Sequence, residues 1–407
     1  MGTKWRQRFV AIVLTVALHA VASRALGDSR TPEREPVPSP GDEAIDHAID
    51  LGVQFLLNVQ NDNGSWGSAT QTKGLNIYAP VPGAHRAFRA AVTANCLAAL
   101  IETGAVDTDP RAGVAAKRAE EWLLHHLPKV RRATGDAIYN VWAHAYGTRT
   151  LALLLEREKA SDRQEELRKA IREQYDLLTR YESVDGGWGY YDFRYQTAKP
   201  SSSSISFTSA TALVAFAKGK QVGVEPPATI VKRAVASIQR QRKPDNSYAY
   251  GEYLKMTPMR GINLPSGSLG RSQVCNLALR RWGDTTITLG VIDTWLDRLW
   301  ARNGWLDIGR KRPIPHEAWQ QVAGYFFYYG HSYAALCIEE LPAKDAKVHQ
   351  DHLATILLKL QERNGSWWDF PFYNYHQQYG TAYALMSLVR CRSESDGEFG
   401  STAESKD

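Results

Sequence analysis

An aromatic anchor returns about every sixty residues, and this recurrence constrains the fold more than any other feature. Gln60-Asn-Asp-Asn-Gly64-Ser-Trp66 reads QxxxGxW, and Gln361-Glu-Arg-Asn-Gly365-Ser-Trp367 repeats the pattern near the other end. Weaker forms lie between them at Asp185-Gly186-Gly187-Trp188, Asp245-Asn246-Ser247-Tyr248 and Asn303-Gly304-Trp305. The anchors at 66, 188, 248, 305 and 367 differ by 122, 60, 57 and 62, the first gap being two periods of 61. The chain therefore reads as six copies of one unit, the second lacking its anchor near His126 to Gly135.

A second series shares the period. After each anchor, or its missing place, comes an apolar run rich in small residues, starting at Val92, Gly147, Thr208, Gly270, Gly330 and Gly380. These starts are separated by 55, 61, 62, 60 and 50 residues. Each unit opens instead with an amphipathic segment: Leu353, Ile356, Leu357 and Leu360 fall at i, i+3, i+4 and i+7, and Ile45, Ile49 and Leu56 form a similar stripe. The runs are apolar on nearly every side, as in Thr208 to Ala217, which suits helices enclosed by others. An outer and an inner helix per unit make twelve. Glycine can end the outer helix in the left-handed conformation, and the Trp two residues on then packs against a neighbour, so Trp66, Trp188, Trp305 and Trp367 are read as structural.

Residues 1–27 read as an export signal: Lys4, Arg6 and Arg8 open it, an apolar core runs from Phe9 to Ala22, and Ala25-Leu-Gly27 supplies small residues for cleavage. The core is shorter than the roughly 20 residues of a membrane-spanning helix, so a periplasmic or secreted protein without a stable span is expected. Losing this segment removes four cations and no acids, and the excess of +6 falls to 45 minus 43, or +2. Nucleic acid is not an expected partner. Residues 28–42 read as a charged, Pro-rich linker, 43–391 as the repeat domain and 392–407 as a disordered tail. Cys96, Cys275, Cys337 and Cys391 lie in or at the end of the apolar runs and read as small buried hydrophobes.

With its two full QxxxGxW motifs and six helix-pair copies, the chain resembles the terpenoid cyclase and protein prenyltransferase superfamily. It is most similar to squalene cyclase-like and prenyltransferase-repeat proteins through Asp185 to Phe193, Tyr325 to Tyr333 and Trp367 to Leu385. The resemblance implies an all-α fold, an (α/α)6 toroid of six helix-pair repeats with QW-type motifs. In such a toroid the inner helices run parallel, so their N-termini gather at one mouth of a central cavity and favour an anionic or electron-rich ligand.

Residues at the inner-helix starts become the site candidates. His331, His376 and Tyr379 are the catalytic ones; Arg149, Arg271, Gln273, Tyr333 and Tyr383 are the ligand-binding ones. Tyr146, Ser206 and Thr208 stand at similar places, and loops add Tyr190, Tyr191, Phe193, Trp319, Tyr328, Phe370 and Tyr373. An aromatic-walled cavity with a mildly basic entrance is expected.

Several chemistries can be tested residue by residue. Squalene-hopene cyclases use an Asp-rich DxDD motif, and Asp107-Thr-Asp109-Pro110 lacks its last Asp. Prenyltransferases hold zinc through Asp, Cys and His; only the His is matched, by His376, while Tyr329 and His331 stand where the Asp and Cys would fall. A two-His site of His331 and His376 with Glu317 or Asp369 is the remaining metal arrangement; no metal and no cofactor is expected. The reactive-Cys motif of complement-type toroids is absent.

The leading expectation is a hydrophobic or isoprenoid-like small molecule in the cavity. One alternative is an acidic glycan, handled by a uronate lyase whose base is Tyr or His and whose cation is Arg149 or Arg271. Another is a non-catalytic scaffold that recruits protein. Against all of these stands a purely structural use of the same His and Tyr, as hydrogen-bond partners of helix ends.

Overall fold

Amphipathic and all-round apolar segments separate into two concentric layers. The computed structural model describes residues 35–72, 81–192, 199–201 and 204–392. The export signal, part of the linker, Phe193 and residues 393–407 of the tail lie outside the described residues. Six outer and inner helices alternate along the chain. They are α1 (Asp42–Asn58) and α2 (Ala84–Glu102), α3 (Pro110–His126) and α4 (Asn140–Arg157), α5 (Ser161–Arg180) and α6 (Ser206–Gln221). The second half holds α7 (Ala228–Gln241) and α8 (Pro265–Arg281), α9 (Leu289–Ala301) and α10 (Phe326–Ile338), α11 (Ala343–Lys359) and α12 (His376–Leu388).

Each even-numbered helix packs on the next, and α12 packs back on α2. This closed ring is an (α/α)6 toroid, and among the described residues only isolated β-bridges accompany it. Every residue from Ser206 to Ala217 of α6 is buried, whereas outer helices bury one stripe, such as Ile230, Val231, Ala234 and Ile238 of α7. No described helix is long and apolar enough to cross a membrane. All four cysteines are buried and unpaired.

The anchors bind three helices at once. The indole N–H groups of Trp66, Trp188 and Trp367 donate to the carbonyls of Leu56, Leu178 and Leu357, each at 2.8 Å and ten residues back in the same unit's outer helix. Their backbone N–H groups donate to the hydroxyls of Thr93, Ser209 and Thr381 on the inner helix. Gln361 then donates to Ala48 O of α1, as Gln60 donates to Ala115 O of α3, so the sixth unit is tied to the first. Gly365 has φ +84°, and a Cβ there would lie 2.4 Å from Leu51 O; only glycine fits so close an approach.

The second residue of each apolar run faces its anchor. Thr93, Ser209 and Thr381 do so by the bonds just given. In the fourth unit Arg271 Nε donates to Tyr248 O at 3.0 Å, and in the fifth His331 Nε2 lies 3.0 Å from Asn303 Oδ1. Trp305 departs from the expected anchor role: it is half-buried in the short helix Asn303–Asp307, edge-on to Trp319, while Leu306 fills the core instead. In the second unit, where no anchor exists, the buried Thr148 hydroxyl has no hydrogen-bond partner.

The vacant anchor place is partly refilled. Gln174 stands four residues before Leu178, as Gly52 stands four before Leu56. Gly52 leaves room for the Trp367 ring, whereas Gln174 extends to meet His144 Nδ1 at 2.8 Å. A small cavity of about 150 Å³ remains beside Leu127, Leu151, Ala170 and Gln174.

Candidate functional site

The N-terminal halves of the inner helices enclose a cavity of about 300 Å³, at the lower end of the range for small-molecule sites. Helical spacing builds its wall. Phe88, Val92 and Asn95 come from α2, Trp142 and Tyr146 from α4, and Tyr379 and Tyr383 from α12, each set lying three to four residues apart on one face. Phe207 of α6 and Phe326 and Tyr329 of α10 complete the helical part. Helix α8 contributes nothing, because the loop before α10 covers its start: Ser266 N donates to Gln320 Oε1 at 2.7 Å. That loop supplies Pro315, His316 and Tyr325, while the segments after the anchors supply Tyr190, Tyr191, Phe370 and Phe372.

Among the described residues, no Lys, Arg, Asp or Glu side chain lines the cavity. Polar contact comes from three groupings. Near the mouth, His316 Nδ1 faces Gln321 O at 2.8 Å and so carries the ring proton, leaving Nε2 to accept from the Tyr325 phenol at 2.7 Å. Burial lowers the His316 pKa and favours this neutral ring. Behind the wall, Tyr379 donates to Asp369 Oδ1 at 2.6 Å, and Tyr328 N donates to Oδ2 at 3.0 Å. Burial raises Asp369 to about 7 against the opposing pull of these two bonds. Deeper in, Tyr383 donates to the Tyr146 hydroxyl at 2.5 Å, beside Asn95.

Of the expected site residues, Tyr379 and Tyr383 face this cavity, and Tyr146, Tyr190, Tyr191 and Phe370 join them. The convergence of His331 and His376 with Tyr379 on the mouth does not form. His331 is fully buried on the anchor side of α10, with Nδ1 2.7 Å from Phe327 O, and burial lowers its pKa to about 4. His376 turns its Nδ1 to Tyr373 O at 2.7 Å and stands edge-on to Trp368.

The arginines serve the fold. Arg271 is wholly enclosed and donates to the carbonyls of Tyr248, Gly267 and Ile262; burial lowers its pKa to about 9. Arg149 pairs with Glu102, the last residue of α2, and with Met386 Sδ, at the C-terminal end of the inner layer. Gln273 donates to Trp295 O of the outer layer at 2.9 Å, and Tyr333 to Thr211 Oγ1 at 3.3 Å between α10 and α6. Among the described residues, no basic side chain joins the lining to form the expected entrance. Of the other candidates, Ser206 at the start of α6 is bonded to Ala249 O, Tyr328 and Tyr373 are buried outside the lining, and Trp319 is half exposed.

The structure also separates the metal candidates, since His331 and His376 face different partners. Among the described residues, Asp293, Asp297 and His349 of the outer layer are close enough to share an ion. There Trp300 Nε1 donates to His349 Nδ1 at 2.8 Å, leaving Nε2 to carry the proton that Asp293 accepts. A metal-ligating imidazole has the reverse arrangement, its second nitrogen donating outward. The Asp-rich string also lies away from the cavity: Asp107 pairs with Arg157, and Asp109 caps α3 by accepting from Arg111 N.

Sequence reasoning missed Phe88, Asn95, Tyr139, Trp142, Tyr250, His316 and Tyr325. Tyr139 and Trp142 precede the second apolar run by eight and five residues, one to two turns nearer the mouth, and that spacing was the available signal. His316 lies in an irregular loop at φ +64°, which no periodicity marks.

The model of the squalene-hopene cyclase C-terminal domain family matches residues 35–257, more than half of the chain. No curated protein matches in sequence. Among solved structures, cellobiose 2-epimerase from Spirochaeta thermophila DSM 6192 aligns with a TM-score of 0.56 at 14% identity, over 86% of this chain and 96% of that one. D-mannose isomerase aligns at 0.53 and 11%, over 85% and 95%. The GH76A alpha-1,6-mannanase from Salegentibacter sp. HEL1_6 aligns at 0.52 and 9%, over 85% and 98%. These likenesses concern the toroid alone.

Proposed function

The chain belongs to the squalene-hopene cyclase C-terminal domain family, and on that premise we propose that it binds a hydrophobic or isoprenoid-like small molecule in its central cavity. The observation that carries this reading is the wall itself, mostly aromatic and, among the described residues, without a charged side chain. Such a surface removes apolar ligand area from water at a gain of about 25 cal/mol per Å² and presents π-faces to any electron-poor part of it. An acidic glycan is the weaker reading, because Arg149 and Arg271, the cations it needs, are held by Glu102 and by backbone carbonyls. Export rests on residues 1–27 and is part of the proposal.

Native mass spectrometry of protein purified from its host's exported fraction tests the reading, followed by extraction of bound material. The expected result is a co-purifying apolar compound that is lost from Ala91→Trp, a variant that fills the cavity from α2. Protein that is empty, and that takes up no isoprenoid when mixed with one, would overturn it.

A further inference from the structure

Resting on that reading, the polar groups of the cavity point to the chemistry of the ligand's end. The wall falls into two levels. Phe88, Tyr139, Phe207, Phe326 and Tyr379 stand at or within the first turns of their helices, whereas Asn95, Tyr146 and Tyr383 stand one to two turns deeper. Further along, toward the C-terminal end of the inner layer, Arg149, Glu102 and Arg390 form an ion-paired group outside the lining.

Asn95 is the distinctive member of the deep level. It is 3% exposed and lines the cavity together with the Tyr383 and Tyr146 phenols. A primary amide offers two donors and a carbonyl with two lone pairs, and at a lining position that capacity is available to whatever fills the space. The Tyr383 and Tyr146 phenols continue that polar strip across α12 and α4. Burying an amide against a purely hydrocarbon ligand leaves its hydrogen bonding unmet, a penalty that a matched hydroxyl or carbonyl removes.

An anionic ligand is disfavoured at the deep end and at the start of α10. A diphosphate or carboxylate placed deep would meet only neutral donors, because Arg149 is paired behind the phenols. Placed against the start of α10 it would meet Asp369, which already accepts from Tyr328 N and covers that helix N-terminus.

We infer that the cavity takes an uncharged, single-headed molecule, an apolar body ending in one hydroxyl or carbonyl, and that Asn95 with Tyr383 binds that head at the deep end. The ligand-binding role thereby moves from the arginines to an amide and a phenol.

Three probes sharing one C15 skeleton test this by isothermal titration: farnesol, farnesene and farnesyl diphosphate. Farnesol is expected to bind at least tenfold more tightly than either of the others. Asn95→Leu and Tyr383→Phe should each remove most of that preference, weakening farnesol while leaving farnesene unchanged or tighter. Thermal melts show that each variant is folded, and retained farnesene binding shows the same from the site itself. Equal affinities for farnesol and farnesene, or a loss of both in Asn95→Leu protein that is folded, would overturn the head-group assignment and leave the apolar-cavity reading standing. Tightest binding by the diphosphate would overturn the assignment of neutrality. If none of the three binds, the cavity reading itself falls and this inference falls with it.

Discussion

The phenol of Tyr379 reaches out of the cavity wall to Asp369, with 2.6 Å between its oxygen and Oδ1. A buried carboxyl is thus coupled to the ligand space through one side chain. Burial raises this carboxyl to about 7 from an ordinary value of 3.8. The folded protein therefore holds a proton that the unfolded chain releases near pH 4. Stability from this group is fully present below about pH 4 and is lost as pH rises to about 7. Urea unfolding of the wild type between pH 4.5 and 8 should show a decline of a few kcal/mol at most that is missing in Asp369→Asn. Parallel curves for the two proteins would contradict the assignment.

Trp367 and Trp305 should respond differently to truncation. Trp367 is fully buried with both of its N–H groups bonded, so Trp367→Ala should cost roughly 3–5 kcal/mol. Trp305 is half-buried beside Trp319, and its replacement by Ala should cost much less. Denaturant melts of the two variants decide the point, and similar losses would show Trp305 to be a full anchor.

The missing anchor of the second unit gives an internal control. Thr381 accepts a bond from Trp367 N, so Thr381→Val should destabilise by about 1 kcal/mol. The Thr148 hydroxyl, at the same place in its run, has no partner. Thr148→Val should be neutral or stabilising by up to about 1 kcal/mol, since a buried polar group without a bond is removed. A destabilised Thr148→Val would mean that an ordered water or ligand occupies that place.

Arg271 and His331 are expected to act on stability and not on ligand affinity. Arg271→Met leaves three carbonyl groups without their donor and should cost roughly 3–5 kcal/mol. For His331→Ala, melts should shift downward while titration of the folded protein with an isoprenoid alcohol stays unchanged. Weakened binding at unchanged stability would restore His331 to the site.

The way these residues divide also explains what could be read in advance. On α12, Tyr379 and Tyr383 face the cavity while Thr381 between them faces the anchor. On α10, Tyr329 faces the cavity and His331 the Asn303 side chain. Two residues on a helix turn the direction by about 200°, so a shift of two exchanges ligand space for core. Aligning His331 and Arg271 with Thr93, Ser209 and Thr381 would have placed them on the anchor side. Their chemistry drew attention away from their position in the repeat.

The ring of six helix pairs was determined by the sequence alone, because each unit carries its own helix pattern and anchor at a fixed period, and such patterns depend on local spacing. The buried stripes of α1 and α11 were legible for the same reason. What only the tertiary structure decided was the orientation of the inner helices about their axes, and with it which polar side chains line the cavity. Inner helices are buried all round, so they carry no polar face from which direction can be read. Asn95 and His316 reach the ligand space because five neighbouring elements and one irregular loop converge there, and that convergence lies between units, beyond what any one repeat encodes.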